Sequence, residues 1–161
     1  MKIRPAEKQD IGRLMEIFGI AREYQRIHGN PTQWRNGYPQ EMLVLHDIEA
    51  GVCYVVEEEG HIVAAFSLIP GRDKTYAVIE QGSWKSDTPY ATIHRMASDG
   101  SVKGAGAFIF AWCMEKERHL RADTHKDNYT MQHILQKAGF EYCGIIYVED
   151  GTERLAYERV K

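Results

Sequence analysis

The chain has 161 residues, a formal net charge of −3, and 43% apolar against 27% charged side chains. At about 150 residues per domain this predicts one domain over 1–161, with enough apolar surface for a core that needs no staples. The slightly acidic balance argues against a general nucleic-acid or anionic-membrane binder, whose affinity comes from clustered excess basic charge, and leaves room for a local basic site.

The longest nearly charge-free run, residues 104–114, is too short for a bilayer crossing. The opening Met1-Lys2-Ile3-Arg4 carries charge where a secretory leader would be apolar. Cys53, Cys113 and Cys143 are odd in number, sit in apolar contexts and form no CxxC pair. They read as reduced, buried thiols of a cytoplasmic protein. A short strand is expected at Ile3–Pro5. A helix follows with Ile11, Leu14, Met15, Phe18 and Ala21 on one stripe, ending at Gly29-Asn30-Pro31. A second helix is expected to start with Pro39 in its first turn, to carry Met42, Leu45 and Ile48 inward, and to stop at Gly51.

Residues 52–57 and 61–70 are β-rich runs joined by Glu58-Glu59-Gly60, a predicted hairpin. Both are apolar on both faces near their middles, so the sheet should be covered on each side. A less regular stretch holds Glu80 and Trp84; residues 90–98 then form another strand. Residues 105–118 read as a helix whose first half is apolar nearly all round and should be buried. A strand over 120–124 leads to a helix capped by Asp127 or Asn128, with Met131, Ile134, Leu135 and Ala138 at helical spacing. Residues 141–148 and 154–160 close the chain as a hairpin around Asp150-Gly151. The order β-α-α-β-β-β-α-β-α-β-β specifies a mixed, mostly antiparallel α/β sheet with helices on both faces.

Chemistry concentrates between Thr92 and Asn128. Lys103-Gly104-Ala105-Gly106-Ala107 opens the buried helix, and a helix start with two glycines offers free N–H groups and a partial positive charge to a phosphate. A Rossmann fingerprint fails because Ile109 stands at the third glycine position, and no Gly-Lys-Ser/Thr follows for a P-loop. The run Ser101-Val102-Lys103-Gly104-Ala105-Gly106 resembles the Arg/Gln-x-x-Gly-x-Gly/Ala turn of the GNAT family of N-acetyltransferases, with Ser101 at the basic or amide position. Asn128, the run Ala138-Gly139-Phe140, and the order of elements over essentially the whole chain extend the resemblance.

The resemblance implies acetyl-CoA as co-substrate, bound where two neighbouring parallel strands splay apart. It implies that backbone groups of Met96 and Ser98 pair with the pantetheine arm. The N–H groups of Lys103, Gly104, Ala105, Gly106 and Ala107 would hold the pyrophosphate, and Asn128 would bond the cofactor or cap its helix. Family members place a thiolate acid, Tyr, at the position of Leu135; Tyr129, Tyr142 and Tyr147 are the substitutes, or the thiolate leaves unassisted. His94 is the expected general base, with strand alternation putting it on the face of Met96, and Glu80 is its rival. Trp34, Tyr38 and Trp84 are candidate acceptor walls. No metal is expected, since Asp123-x-His125-x-Asp127 lacks ligand spacing once the strand ends at Thr124.

The sequence thus points to direct acetyl transfer from acetyl-CoA to a primary amine of a small molecule or peptide. The rival is a CoA-binding module of the same fold with little turnover; a longer acyl donor or an oxygen acceptor is a third reading. No nucleic-acid or membrane partner is expected, and a homodimer is left open.

Overall fold

The computed structural model describes residues 1–161. Seven strands are β1 (Lys2–Pro5), β2 (Cys53–Glu58), β3 (His61–Pro70), β4 (Ala91–Ser98), β5 (His119–Thr124), β6 (Glu141–Tyr147) and β7 (Glu153–Val160). Four helices are α1 (Ile11–Ile27), α2 (Glu41–Glu49), α3 (Ala105–Lys116) and α4 (Tyr129–Lys137). The strands form one sheet in the order β1-β2-β3-β4-β5-β7-β6, with every pair antiparallel except β4 and β5. This is the mixed α/β architecture that the element order specified.

Strand alternation builds two cores, one on each face. Val56, Phe66, Leu68 and Ile93 pack with Ile109, Phe110, Leu135 and Phe140 on the α3–α4 side. Val55, Ala65 and Ala97 pack with Leu14, Ile17, Phe18, Val44 and Ile48 on the α1–α2 side. Neighbours such as Val55 and Val56 therefore serve opposite faces, which is why these strands are apolar throughout. Residues 71–90 cover the far end, where Tyr76 joins Ile146 and Ala156 beside Trp84 and Tyr90. This stretch is more ordered than its sequence suggested, because Glu80 and Ile145 exchange backbone hydrogen bonds of 2.8 and 2.9 Å. Cys53, Cys113 and Cys143 are free and buried, and burial pushes the thiols of Cys53 and Cys113 up to about 12.

Two local expectations need correction. Pro39 lies ahead of α2, whose N-cap is Gln40. The inward face of α2 is Val44, Asp47 and Ile48, while Met42 is 82% exposed. Asp47 turns inward because it accepts hydrogen bonds from Ser67 Oγ at 2.7 Å and Arg95 Nε at 2.7 Å, and this polar anchor sets the helix's rotation.

Two irregularities of β4 create the site. Its pairing with β5 stops after Ala91↔Leu120 and Thr92↔Arg121, so beyond Thr92 the β5-facing edge has no strand partner. The register with β3 also slips between Ala65↔Ala97 and Ser67↔His94, and Arg95 has φ +51°. This is a β-bulge, the usual device for re-aiming a side chain beside a site.

Candidate active site

The parting of β4 and β5 opens a cleft of about 580 Å³. The loop between α1 and α2, the middle of β4, the ends of β5 and β7, the start of α4 and the β6–β7 turn line it. Hydrogen bonds strap the α1–α2 loop across this opening. Gln33 Oε1 accepts from Asn30 Nδ2 at 2.9 Å and from Asn128 Nδ2 at 3.0 Å, and the Gln33 carbonyl accepts from Arg154 Nη2 at 3.3 Å. Arg35, two residues on, pairs with Asp150 at 3.1 Å.

His94 lines the cleft, with Nε2 2.7 Å from Asp73 Oδ2. Burial opposes ionisation of Asp73, but the hydrogen bonds from His94 and from the backbone N–H and hydroxyl of Thr75 outweigh it and hold the carboxyl at about 2. Asp73 is thus a fixed anion behind the imidazole. A neutral His94 that donates Nε2–H to it keeps the Nδ1 lone pair free for a proton. Beside the pair, the fully buried Tyr76 donates its hydroxyl to Asp123 Oδ2 at 2.6 Å. Burial, then the Asp123 charge, pushes this phenol well above its usual value, so it stays a donor.

The bulge changes the expected facing of β4. Met96 packs on the α3–α4 side, whereas His94 lies opposite Ser67, whose hydroxyl bonds Asp47 on the α2 side. The two side chains do not share a face; the extra residue at the bulge breaks the alternation. Arg95, between them, reaches Asp47 and donates to Tyr38 Oη at 3.2 Å.

Sequence-predicted residues divide between the cleft and elsewhere. His94, Met96, Asn128, Trp34 and Tyr38 line it, with Trp34 edge-on to Phe18 and Tyr38 at 5.8 and 6.1 Å. Glu80 and Tyr147 do not: they bond each other at 2.9 Å on the outer surface, held there by the bridge at Glu80. Trp84 is also outside the lining, donating Nε1–H to the Tyr76 carbonyl and stacking 3.9 Å from the Arg121 guanidinium. Asn128 caps α4 through Oδ1, 3.1 Å from the Met131 N–H, and spends Nδ2 on Gln33.

Below the cleft, Gly104 caps α3 with φ +83°, a left-handed conformation suited to glycine. The first N–H of the helix to find a backbone acceptor is that of Phe108, bonded to the Gly104 carbonyl, so those of Gly106 and Ala107 remain free. Lys103, Gly104 and Ala107 are exposed, and Ala105 is buried in the core. The loop before them is shaped by Asp99, which accepts from the Ser101 N–H at 2.9 Å, the Ser101 hydroxyl at 2.6 Å and Arg13 Nη2 at 2.5 Å. The Ser98 hydroxyl accepts from the Gly100 N–H at 3.1 Å.

No family model matches the chain, and no curated protein matches it. Among solved structures, a GNAT-family acetyltransferase from Streptococcus agalactiae is 34% identical over 99% of this chain and 95% of its own, with a TM-score of 0.91. The chain belongs to the GNAT acetyltransferase family. A GNAT-family acetyltransferase from Listeria monocytogenes shares the fold at 16% identity, covering 99% of this chain and 94% of its own with a TM-score of 0.71. So does a Bacillus subtilis acetyltransferase in complex with CoA, at 15% identity, 99% and 98% coverage and a TM-score of 0.67.

Two features set this GNAT acetyltransferase apart from the pattern its sequence resembles. Leu135, at the usual acid position, is fully buried in the α3–α4 core. None of the substitute tyrosines lines the cleft: Tyr129 and Tyr142 are exposed and Tyr147 faces Glu80. Tyr38 is the one phenol in the lining. The sequence reading missed Asp73, Arg95 and Arg154 and weighed Asp123 only as a metal ligand; each lines the cleft and has at least one partner remote in the chain. An Arg in the middle of an apolar strand was the one local signal, since a central strand has no room for a charge without a bulge or a buried partner. No helix is long and apolar enough to cross a membrane.

Proposed function

We propose that this acetyltransferase moves the acetyl group of acetyl-CoA directly to a primary amine of a small molecule or peptide. The observation that carries the reading is the His94–Asp73 pair beside the unpartnered edge of β4, within the cleft where β4 and β5 part. The residues present fit the donor. The free edge after Thr92 can accept an extended amide arm as an added strand, and the free N–H groups at the start of α3 suit a pyrophosphate, with Lys103 adding charge.

Bound acetyl-CoA supplies the electrophilic carbonyl carbon. His94 Nδ1 takes a proton from the ammonium form of the acceptor, and Asp73 stabilises the imidazolium through Nε2. The amine nitrogen then bonds to the carbonyl carbon as the carbon–sulfur bond breaks, and its second proton passes to water to leave the neutral amide. With Leu135 at the acid position, the thiolate takes its proton from water. Trp34 and Tyr38 wall the acceptor side.

Thiol release from acetyl-CoA against an amine library is the test, with acetyl-CoA binding measured by calorimetry. Turnover above the hydrolysis background on at least one amine is expected. Binding without turnover on any amine would support the CoA-binding module instead, a reading that the buried Leu135 favours.

A further inference from the structure

Arg154 on β7 lines the cleft and is 7% exposed. It donates to Thr152 Oγ1 at 3.1 Å and the Glu153 carbonyl at 2.8 Å through Nη1, and to the Gln33 carbonyl at 3.3 Å through Nη2. A guanidinium has five N–H groups, so the Nε–H and one on Nη2 have no protein acceptor. No carboxylate stands within ion-pair distance of it, whereas the other cleft arginines are paired, Arg95 with Asp47 and Arg35 with Asp150.

A cation this deep without a counter-ion is costly. Burial draws Arg154 below the usual guanidinium value, and Asp123 and Asp150 oppose the fall from a distance. Asp123 is the complementary case: its carboxylate accepts the Tyr76 hydroxyl and has no cation beside it. Asp123 pairs across the sheet with Ala156, and Arg154 lies two residues from Ala156 on the same face. Such diagonal neighbours stand about 7–8 Å apart, which leaves room for a small molecule with opposite charges on adjoining atoms.

We propose that the acetyl acceptor is a zwitterion, an amine that also bears a carboxylate, with the carboxylate on Arg154 and the ammonium directed to Asp123 and His94. The proposal rests on the acetyl-transfer reading and narrows its acceptor class. The free Nε–H and the second Nη2 proton leave the guanidinium two donors for a carboxylate, which arginine characteristically grips with paired hydrogen bonds. A dianionic phosphate fits less well, because Asp73, Asp123, Glu149 and Asp150 share the cleft and repel a second negative charge.

The test is thiol release from acetyl-CoA with matched pairs of L-amino acids and their carboxamides. The acids should exceed the amides in kcat/KM by about 10- to 100-fold, the range of a charge-assisted hydrogen-bonded pair. Arg154→Gln should bring that ratio close to one, and Arg154→Lys, which keeps the charge without the fork, should retain part of it, mainly through KM. Release with amides or simple amines at equal or better efficiency overturns the zwitterion assignment alone. So does an unchanged ratio in either variant that melts cooperatively and binds acetyl-CoA by calorimetry. Acetyl-CoA binding with no release on any amine overturns the transfer reading and this assignment with it.

Discussion

Asp73→Asn isolates the contribution of the pair that defines the site. The substitution keeps the shape and removes the charge. The new carboxamide can donate its NH2 to His94 Nε2, which would place the imidazole proton on Nδ1 and remove the lone pair from the cleft. The wrong tautomer of an otherwise intact base costs up to about 10⁴-fold in the best-studied hydrolytic triads. Here water can reach the ring, whose side chain is 23% exposed, so a smaller loss of about 10²- to 10³-fold in kcat is expected. The stability cost follows from the same carboxylate. Lowering its pKa from 3.8 to about 2 stabilises the folded state by about 2 kcal/mol at neutral pH, reduced to about 1–2 by partial exposure. Because the folded-state value is depressed, this stabilisation is fully present above about pH 4 and is lost as pH falls towards 2. Asp73→Asn should therefore lower the melting temperature by about 2–8 °C at pH 7 and by much less near pH 2. The assays are a pH–rate profile under saturating acetyl-CoA and thermal melts at the two pH values. A variant within twofold of the parent in kcat, with the same pH profile, would refute the role assigned to the His94–Asp73 pair.

Gly104→Val forces a β-branched residue to φ +83°, costing about 1–2 kcal/mol, yet its Cβ meets no protein atom within 4 Å. The fold should persist while acetyl-CoA affinity drops at least tenfold by calorimetry; unchanged affinity would remove the pyrophosphate site from the start of α3. Asp99→Ala releases the Ser101 N–H and hydroxyl and the Arg13 contact, and should weaken acetyl-CoA binding by about 3- to 10-fold through a looser loop. Gly144→Ala would put a Cβ 2.6 Å from the Glu80 carbonyl and 2.9 Å from Ile79 Cγ1. It should cost about 1–3 kcal/mol in a urea melt, and full stability would show that the bridge at Glu80 yields freely.

The elements legible in the sequence are those whose partners are repeated along the chain. Val55 and Val56, or Ala64 to Phe66, announce a doubly covered strand because each residue has a core beneath it. Leu135 announces α4 through spacing alone. Asp47 breaks the same logic: a carboxylate counts as a surface residue until Ser67 and Arg95 arrive from 20 and 48 positions away. On α2, Ile48 is inward as expected, but Val44 and Asp47 take the inward places expected for Met42 and Leu45. The site suffered more, since Asp73 joins His94 across 21 positions and Tyr76 joins Asp123 across 47. Such pairs are set by the sheet order, which places residues 71–90 over β5 and β7, and no local periodicity encodes it.

Ser101 and Leu135, where the chain departs from the pattern it resembles, have opposite physical consequences. Ser101 is spent on Asp99, so the loop draws its shape from that carboxylate, and the proposed anion binding falls to backbone N–H groups that any sequence with the right glycines can present. That departure is compensated locally. Leu135 is different, because an aliphatic side chain has no proton to give, and its full burial in one core cluster with Phe110 and Phe140 leaves no room there for water to take the role. On the proposed reading, with no acid at Leu135, such an acetyltransferase leaves sulfur protonation to water and gains its rate on the amine side. On the same reading the cleft is best equipped there, with Asp73 held ionised behind His94, Asp123 and Arg154 also in the lining, and Arg154 available to fix the far end of the acceptor. In that proposal, positioning and deprotonation of the nucleophile, each able to supply several powers of ten, carry the catalysis that a thiolate acid would otherwise share.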